Sequence, residues 1–381
     1  MKVLIGVTGS IASYRTPELL KRLIAMDIDV EVVLTRGAEK FIGAASFEGL
    51  IGKKVHSSLW EDPMAHIHLE RSCDLVIVCP ATAHLISKLN SGLADDLLTS
   101  ILLAKTNNVL LVPAMNTNMW KNSLIIKNVQ DLEKKGFSFL NPDKGLLACG
   151  EYGVGRLPQI DMIFYEILFH LEKKSFKNKK VLVTAGPTRE FIDDVRFLSN
   201  PSSGKMGFSL ALNAWIKGAE VTLVAGPGTP DSPDGIHRID VESAEEMKNA
   251  IDDVYDYGFF TAAVTDFSLG VRRKGKPSKE DWLKGGIALE KNPDVLYSNI
   301  AKFNKIIGFS VYSQGTSLDA AKKVFKKGAD YVVTNNVANC FGHNDTDVEL
   351  FDNELNSTEF KEMDKISLGR KILDIIGDEN D

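Results

Sequence analysis

Cysteine is scarce in this 381-residue chain, with Cys73, Cys79, Cys149 and Cys340 making up the whole set. Their spacing forms neither a CxxC pair nor a zinc ribbon, which excludes the common structural zinc modules. Long apolar runs are missing too. None approaches the roughly 20 residues needed to cross a bilayer, so no membrane partner is expected and the expected location is cytoplasmic. Positive charge is not in excess: 45 basic against 51 acidic residues leave a formal net charge of -6. That balance gives no basic stripe for tracking nucleic acid. The apolar start Met1–Val7 breaks at a glycine turn after about one strand length, so it reads as a β-strand rather than a secretory segment. No short-period repeat is evident.

What remains is a globular composition on a chain long enough for about two domains. Apolar strands alternate with helical spacing: Val3–Val7, then Pro17–Met26, then Val30–Leu34, with further buried strands at Leu75–Cys79 and Val109–Val112. This alternation predicts α/β architecture with a parallel sheet covered on both faces. The lysine-rich run Glu172–Lys180 reads as a linker. The pattern restarts with strands at Val181–Thr184, Val221–Val224, Ile306–Phe309 and Tyr331–Thr334. The expected domains are therefore 1–174 and 175–381.

In the first domain, Thr8-Gly9-Ser10-Ile11-Ala12-Ser13 follows strand one. Its glycine allows a tight turn, and the next helix offers free N–H groups to a phosphate. The run is not GxGxxG, which favours a mononucleotide. Three further segments stand out: His66-Ile67-His68-Leu69, Pro113-Ala114-Met115-Asn116-Thr117-Asn118-Met119-Trp120, and Ala148-Cys149-Gly150-Glu151-Tyr152-Gly153-Val154-Gly155-Arg156. Together they resemble the phosphopantothenoylcysteine decarboxylases, within the flavin-containing cysteine decarboxylase family, across residues 1–170. The resemblance implies a flavodoxin-like, FMN-binding domain with the phosphate near Gly9, Ser10 and Ile11 and further contacts from Thr35, Thr82 and Ala114. It also implies that the substrate's cysteine moiety is oxidised, loses carbon dioxide as an ene-thiolate, and is then protonated and reduced back. On the same basis Cys149 is the proton donor, Asn116 holds the substrate carboxylate, and His66 is a base or charge partner in a strand-like segment. Met119 and Gly153 fall at substrate-contact positions. His68 stands where the family normally has glutamate.

In the second domain, Thr184-Ala185-Gly186-Pro187-Thr188-Arg189-Glu190 leads to Val195-Arg196-Phe197-Leu198-Ser199-Asn200 and Pro201-Ser202-Ser203-Gly204-Lys205-Met206-Gly207. A Walker A loop would need glycine where Ser199 stands and Ser or Thr where Met206 stands, so the Ser-Ser-Gly-Lys run is not a P-loop. The stretch looks like the phosphopantothenate–cysteine ligases, over most of residues 180–375. The resemblance implies a second Rossmann-like doubly wound domain that joins 4′-phosphopantothenate to cysteine through an acyl-nucleotide, with CTP and Mg2+. It assigns Asn200 and Arg196 to the acyl intermediate, Lys276 to phosphate charge, and Ala262, Asp266, Pro293, Asp294, Val295, Leu296, Phe309, Lys323 and Lys327 to the nucleotide. By themselves Lys323 and Lys327 would read as a solvated helix face. Lys274 and Lys279 compete with Lys276 for its role. Gly308-Phe309-Ser310-Val311-Tyr312-Ser313 departs from the family's GFAAET, and Thr265 replaces an alanine before Asp266.

The two resemblances imply one bifunctional enzyme of coenzyme A biosynthesis that ligates and then decarboxylates to give 4′-phosphopantetheine. They further imply a homo-oligomer, trimeric through decarboxylase domains whose flavin sites lie between subunits, with pairing of the ligase domains. Two other readings stand beside this one: an FMN-binding regulatory protein of the same fold, and a decarboxylase carrying a degenerate ligase domain.

Overall fold

In the computed structural model, described for residues 1–60, 62–105, 107–270, 272–278, 280, 288–337 and 345–378, the chain forms two compact units, Met1–Glu172 and Lys173–Asp381. Lys279 and Cys340 lie outside the described residues.

The first unit is built on strands β1 (Lys2–Val7), β2 (Asp29–Leu34), β3 (Leu75–Ala81), β4 (Val109–Pro113) and β5 (Ser138–Phe139). They pair in parallel in the order β2-β1-β3-β4-β5. This is the doubly wound, flavodoxin-like arrangement. β3 and β4 are buried throughout, which is why they read as continuous apolar runs rather than alternating ones. Helices follow the strands: α1 (Thr16–Ala25), α2 (Ala45–Ile51), α3 (Ala65–Ser72), α4 (Ala83–Asn90), α5 (Leu97–Ala104), α6 (Thr117–Trp120), α7 (Ser123–Lys134) and α8 (Ile160–Leu171). Their starts carry the expected caps. Thr82 accepts from Leu85 N, and Asp96 forms a capping box with Thr99. A hairpin of β6 (Asp143–Leu146) and β7 (Tyr152–Arg156) stands apart from the sheet.

The second unit carries a larger sheet. Strands β8 (Lys180–Ala185), β11 (Glu220–Ala225), β12 (His237–Asp240), β13 (Tyr255–Phe260), β16 (Phe303–Tyr312) and β17 (Tyr331–Asn336) run parallel in the order β12-β11-β8-β13-β16-β17. The antiparallel strands β18 (Asp345–Phe351) and β19 (Ser357–Asp364) extend it. Numbered within this unit, the parallel part has the 3-2-1-4-5-6 order of a Rossmann sheet, which reverses between β8 and β13. Helix α9 (Lys205–Ile216) is buried nearly all round, and the C-terminal helix Lys365–Asp378 packs against it. Small antiparallel pairs β9 (Arg189–Phe191) with β10 (Phe197–Ser199), and β14 (Phe267–Leu269) with β15 (Leu289–Lys291), lie off the main sheet.

One charged cluster closes an edge of the first sheet. Glu31 on β2 is 8% exposed and meets Lys2 at 3.0 Å, Lys53 at 2.9 Å and His56 at 3.3 Å. Burial works to raise this carboxyl, but the hydrogen bonds from Lys53 and Lys2 outweigh it and hold it below its ordinary value. A depressed folded-state pKa contributes stability above the unfolded value, about 4.3, which is lost as pH falls through the folded one. Glu31→Gln is therefore expected to cost roughly 1–2 kcal/mol at neutral pH. In thermal melts the difference from the unsubstituted protein should shrink steadily below about pH 4. A pH-independent difference would contradict this account.

Candidate active sites

The first site sits where β1 and β3 diverge, at the carboxyl ends of the strands. A cavity of about 1260 Å³ opens there, walled by the turns after β1 (Thr8–Ala12), β2 (Thr35–Gly37), β3 (Thr82–Leu85) and β4 (Ala114–Asn116), and by the hairpin residues Leu146–Cys149. The turns are tied together by short polar side chains. Thr8 Oγ1 donates to Pro80 O at 2.7 Å and accepts from Thr82 N at 3.1 Å. Thr35 Oγ1 donates to Val7 O at 3.1 Å. Ser10 accepts from Ala12 N at 3.3 Å and so caps the turn that leads into α1. Glycine suits position 9, because a Cβ there would stand a tight 3.0 Å from the Gly37 carbonyl carbon.

Gly9, Ser10, Ile11, Thr35, Thr82 and Ala114 all line this cavity, as do Asn116, Met119 and Cys149. The volume exceeds the roughly 300–1,000 Å³ of ordinary small-molecule pockets, leaving room for a flavin and a second ligand. The β1/β3 crevice of a 2-1-3-4-5 sheet is also where this architecture takes a flavin mononucleotide. The residues present thus fit FMN. Arg36 joins the wall without having stood out in the sequence.

At the rim, one side chain organises three. Asn116 caps α6, with its Oδ1 accepting from Asn118 N at 2.8 Å. Its Nδ2 is thereby turned outward, donating to Glu151 Oε2 at 2.7 Å and to Cys149 Sγ at 3.6 Å. Cys149 Sγ lies 3.8 Å from Glu151 Oε2. Cys149 is exposed, whereas Cys73 and Cys79 are buried. Burial drives the Cys79 thiol up to about 12 and also raises that of Cys73. The hairpin is locked to the Asn116 turn at Gly155, whose carbonyl accepts from Met115 N at 3.0 Å. Its φ of +142° and the 2.2 Å that would separate a Cβ from Met115 O admit only glycine.

Two of the residues singled out in the sequence stand off this cavity in the single chain. His66 lies on helix α3, not in a strand-like segment, and does not line the cavity; its Nδ1 is buried without a hydrogen-bond partner. The run Ala65–Ser72 is helical because Ala65 and Leu69, at i and i+4, share the buried face. Gly153 is also off the cavity wall: its α-carbon is pressed against Thr117, whose Oγ1 a Cβ would meet at 2.3 Å. Gly153 is needed for hairpin packing.

The second site is a cavity of about 790 Å³ over the β8/β13 reversal, lined by Asn200, the Pro201–Gly207 turn, Ala262–Asp266, Lys291–Leu296, Phe309 and Lys327 among others. Asn200 Nδ2 donates to Ala263 O and Val264 O at 3.1 Å each, so its Oδ1 is left to accept from a ligand. Lys327 Nζ pairs with Asp294 at 2.7 Å. Burial tends to raise the Asp294 carboxyl, but this partner keeps it below its ordinary value. Thr265, the departure from the family's alanine, joins Thr188 through a 3.1 Å hydroxyl contact that ties the two loops.

Arg196, Lys276 and Lys323 do not line this cavity. Arg196 lies 3.6 Å from the fully buried Asp193, on a loop whose neighbour Asp194 accepts from Gly275 N at 2.7 Å. The segment carrying exposed Lys276 is thereby strapped to the Arg196 loop. Lys323 is exposed on the helix Ser317–Phe325. Among the described residues no helix is long and apolar enough to cross a membrane, and no cluster of three or more His, Cys, Asp or Glu could hold a metal ion.

Residues 1–171 match the family described as Flavoprotein, and residues 176–379 match the DNA/pantothenate metabolism flavoprotein C-terminal domain. Full-length relatives are similar along almost the whole chain. The coenzyme A biosynthesis bifunctional protein CoaBC of Borreliella burgdorferi is 35% identical over 98% of this chain and 98% of its own. Its counterpart in Bacillus subtilis is 36% identical over 97% and 95%, and that in Escherichia coli 36% over 88% and 86%. With family models over both units and relatives similar along nearly the whole chain, the chain belongs to the CoaBC family of bifunctional coenzyme A biosynthesis enzymes, in which a decarboxylase and a ligase share one polypeptide.

Proposed function

We propose that the first unit is an FMN-dependent decarboxylase converting 4′-phosphopantothenoylcysteine to 4′-phosphopantetheine. In this reading the second unit supplies that substrate by joining 4′-phosphopantothenate to cysteine at the expense of CTP. The observation that carries the reading is the meeting of exposed Cys149 with the Asn116 amide, at 3.6 Å, on the rim of a cavity shaped for a mononucleotide.

Gly9, Ser10 and Ile11 would hold the FMN phosphate, and Thr35, Thr82 and Ala114 the rest of the flavin. When bound, FMN supplies the two-electron oxidation that makes the carboxylate a leaving group and the reduction that restores the thiol. The protein's own residues do the remainder. Asn116 Nδ2 donates to the substrate carboxylate and fixes its orientation. Once carbon dioxide has left, Cys149 gives its proton to the ene-thiolate, and Met119 bounds the pocket for the substrate chain. His66 does not reach the cavity of its own chain, which supports a homo-oligomer, trimeric through this unit, in which the imidazole serves a neighbouring copy's site.

In the second cavity, a free carboxylate is a poor electrophile, so the acid must first be activated as an acyl-nucleotide. Asp266 and the Pro293–Leu296 turn would hold the nucleotide beside Ala262 and Phe309, with Lys327 released from Asp294 to meet phosphate charge. Lys323 and Lys276 would approach from outside the wall. The Asn200 Oδ1 would accept from the attacking cysteine amine, and Arg196 would offer a fixed positive charge to the acyl intermediate, with ligase domains pairing. Mg2+ would be held mainly by the nucleotide's phosphates with one or two carboxylates, so it needs no preformed acidic cluster.

FMN-loaded protein is expected to release carbon dioxide from 4′-phosphopantothenoylcysteine, with Cys149→Ser lowering 4′-phosphopantetheine formation by about 10²–10⁴-fold. Inert protein that still binds FMN would instead indicate a regulatory role. Given CTP, 4′-phosphopantothenate and cysteine, the chain should release pyrophosphate, and Asn200→Ala should cut amide formation by about 10²-fold. No pyrophosphate from either CTP or ATP would mark the second unit as degenerate.

A further inference from the structure

Asn116 has no side-chain donor to spare. Its Oδ1 is committed to Asn118 N at 2.8 Å. Its two N–H groups come from a single nitrogen, which donates to Glu151 Oε2 at 2.7 Å and to Cys149 Sγ at 3.6 Å. A carboxylate therefore already stands on the donor that the decarboxylase reading gives to the substrate's carboxylate. Glu151 is exposed on the loop between β6 and β7, so its side chain can leave for water without a burial cost. Its backbone need not follow, because Glu151 O accepts from Leu147 N at 2.8 Å and Gly150 N donates to Leu147 O at 2.9 Å.

We propose that Glu151 is a built-in stand-in for the substrate carboxylate: a positioning residue that holds the Asn116 amide turned toward Cys149 between turnovers and is exchanged for the carboxylate of the incoming ligand. The inference rests on the decarboxylase reading and deepens it. Two negative groups cannot share one amide nitrogen at short range without repulsion, so substrate entry displaces Glu151. Departure of the carboxylate as carbon dioxide empties the donor, and Glu151 refills it. A product without that carboxylate has no claim on Asn116, so the exchange sets the enzyme's preference between the two ends of its own reaction.

The test is equilibrium binding, by calorimetry on FMN-replete full-length protein, of two inert ligands. One is the amide of 4′-phosphopantothenate with alanine, which keeps the carboxylate and lacks the thiol. The other is the amide with ethylamine, which lacks both. Glu151→Ala should tighten the alanine amide by about tenfold, the scale of one charge-assisted hydrogen bond no longer competed for, and leave the ethylamide unchanged. Glu151→Gln, which keeps an acceptor but loses the charge, should fall between. If both ligands bind and their ratio is unmoved by either substitution, or the alanine amide binds more weakly, the exchange is refuted while the decarboxylase reading stands. If the unsubstituted protein binds neither ligand, the cavity assignment fails and this inference with it.

Discussion

The first candidate site depends on a single amide being held in one orientation. Asn116 spends its oxygen on capping a four-residue helix, and that cap decides where its nitrogen points. Were the amide flipped, the oxygen would face the Glu151 carboxylate and the nitrogen would face the Asn118 N–H, two repulsive contacts in place of two attractive ones. The orientation of the site is thus enforced by ordinary secondary-structure chemistry. Gly155 carries the same constraint across to the hairpin, since its backbone bond to Met115 sets the distance at which Cys149 can meet the amide.

The two units build their cavities in related ways. Each opens its cavity where the parallel sheet reverses its winding, and each ties neighbouring turns together with threonine hydroxyls. Thr8 bridges the turns after β1 and β3 in the first unit, and Thr188 meets Thr265 in the second. Their charges are managed differently. The first cavity rim keeps an acceptor beside a thiol, whereas the second keeps its cation Lys327 parked on Asp294. Both arrangements leave a polar group on the cavity satisfied from within the chain.

Much of this could be read from the residues alone, because parallel sheets bury both faces and write themselves as uninterrupted apolar runs. Leu75–Cys79 and Val109–Val112 became strands for that reason, and the turns that follow them line the first cavity. Cys149 stood out through the Ala148–Arg156 motif, and it is exposed. The sequence signal misled where a short polar run had to be placed on helix or strand. His66 alternates with His68 and so looks strand-like, but Ala65 and Leu69 take the buried face of α3. Gly153 and Gly155 look equivalent in the motif, yet one packs on Thr117 and the other takes a backbone angle closed to other residues. Glu151 escaped notice because an acidic residue in a turn is unremarkable until its partner is known, and that partner lies 35 positions away in the chain.

The central claim is that the Cys149 thiol belongs to the wall of a flavin cavity, and its chemical accessibility measures this directly. Peptide mapping of iodoacetamide labelling on flavin-free and FMN-replete protein should show Cys149 modified rapidly in the former, with Cys73 and Cys79 protected in both by burial. Addition of FMN should slow modification of Cys149 several-fold. Labelling of Cys149 at the same rate with and without bound FMN would place the thiol away from the flavin and contradict the account.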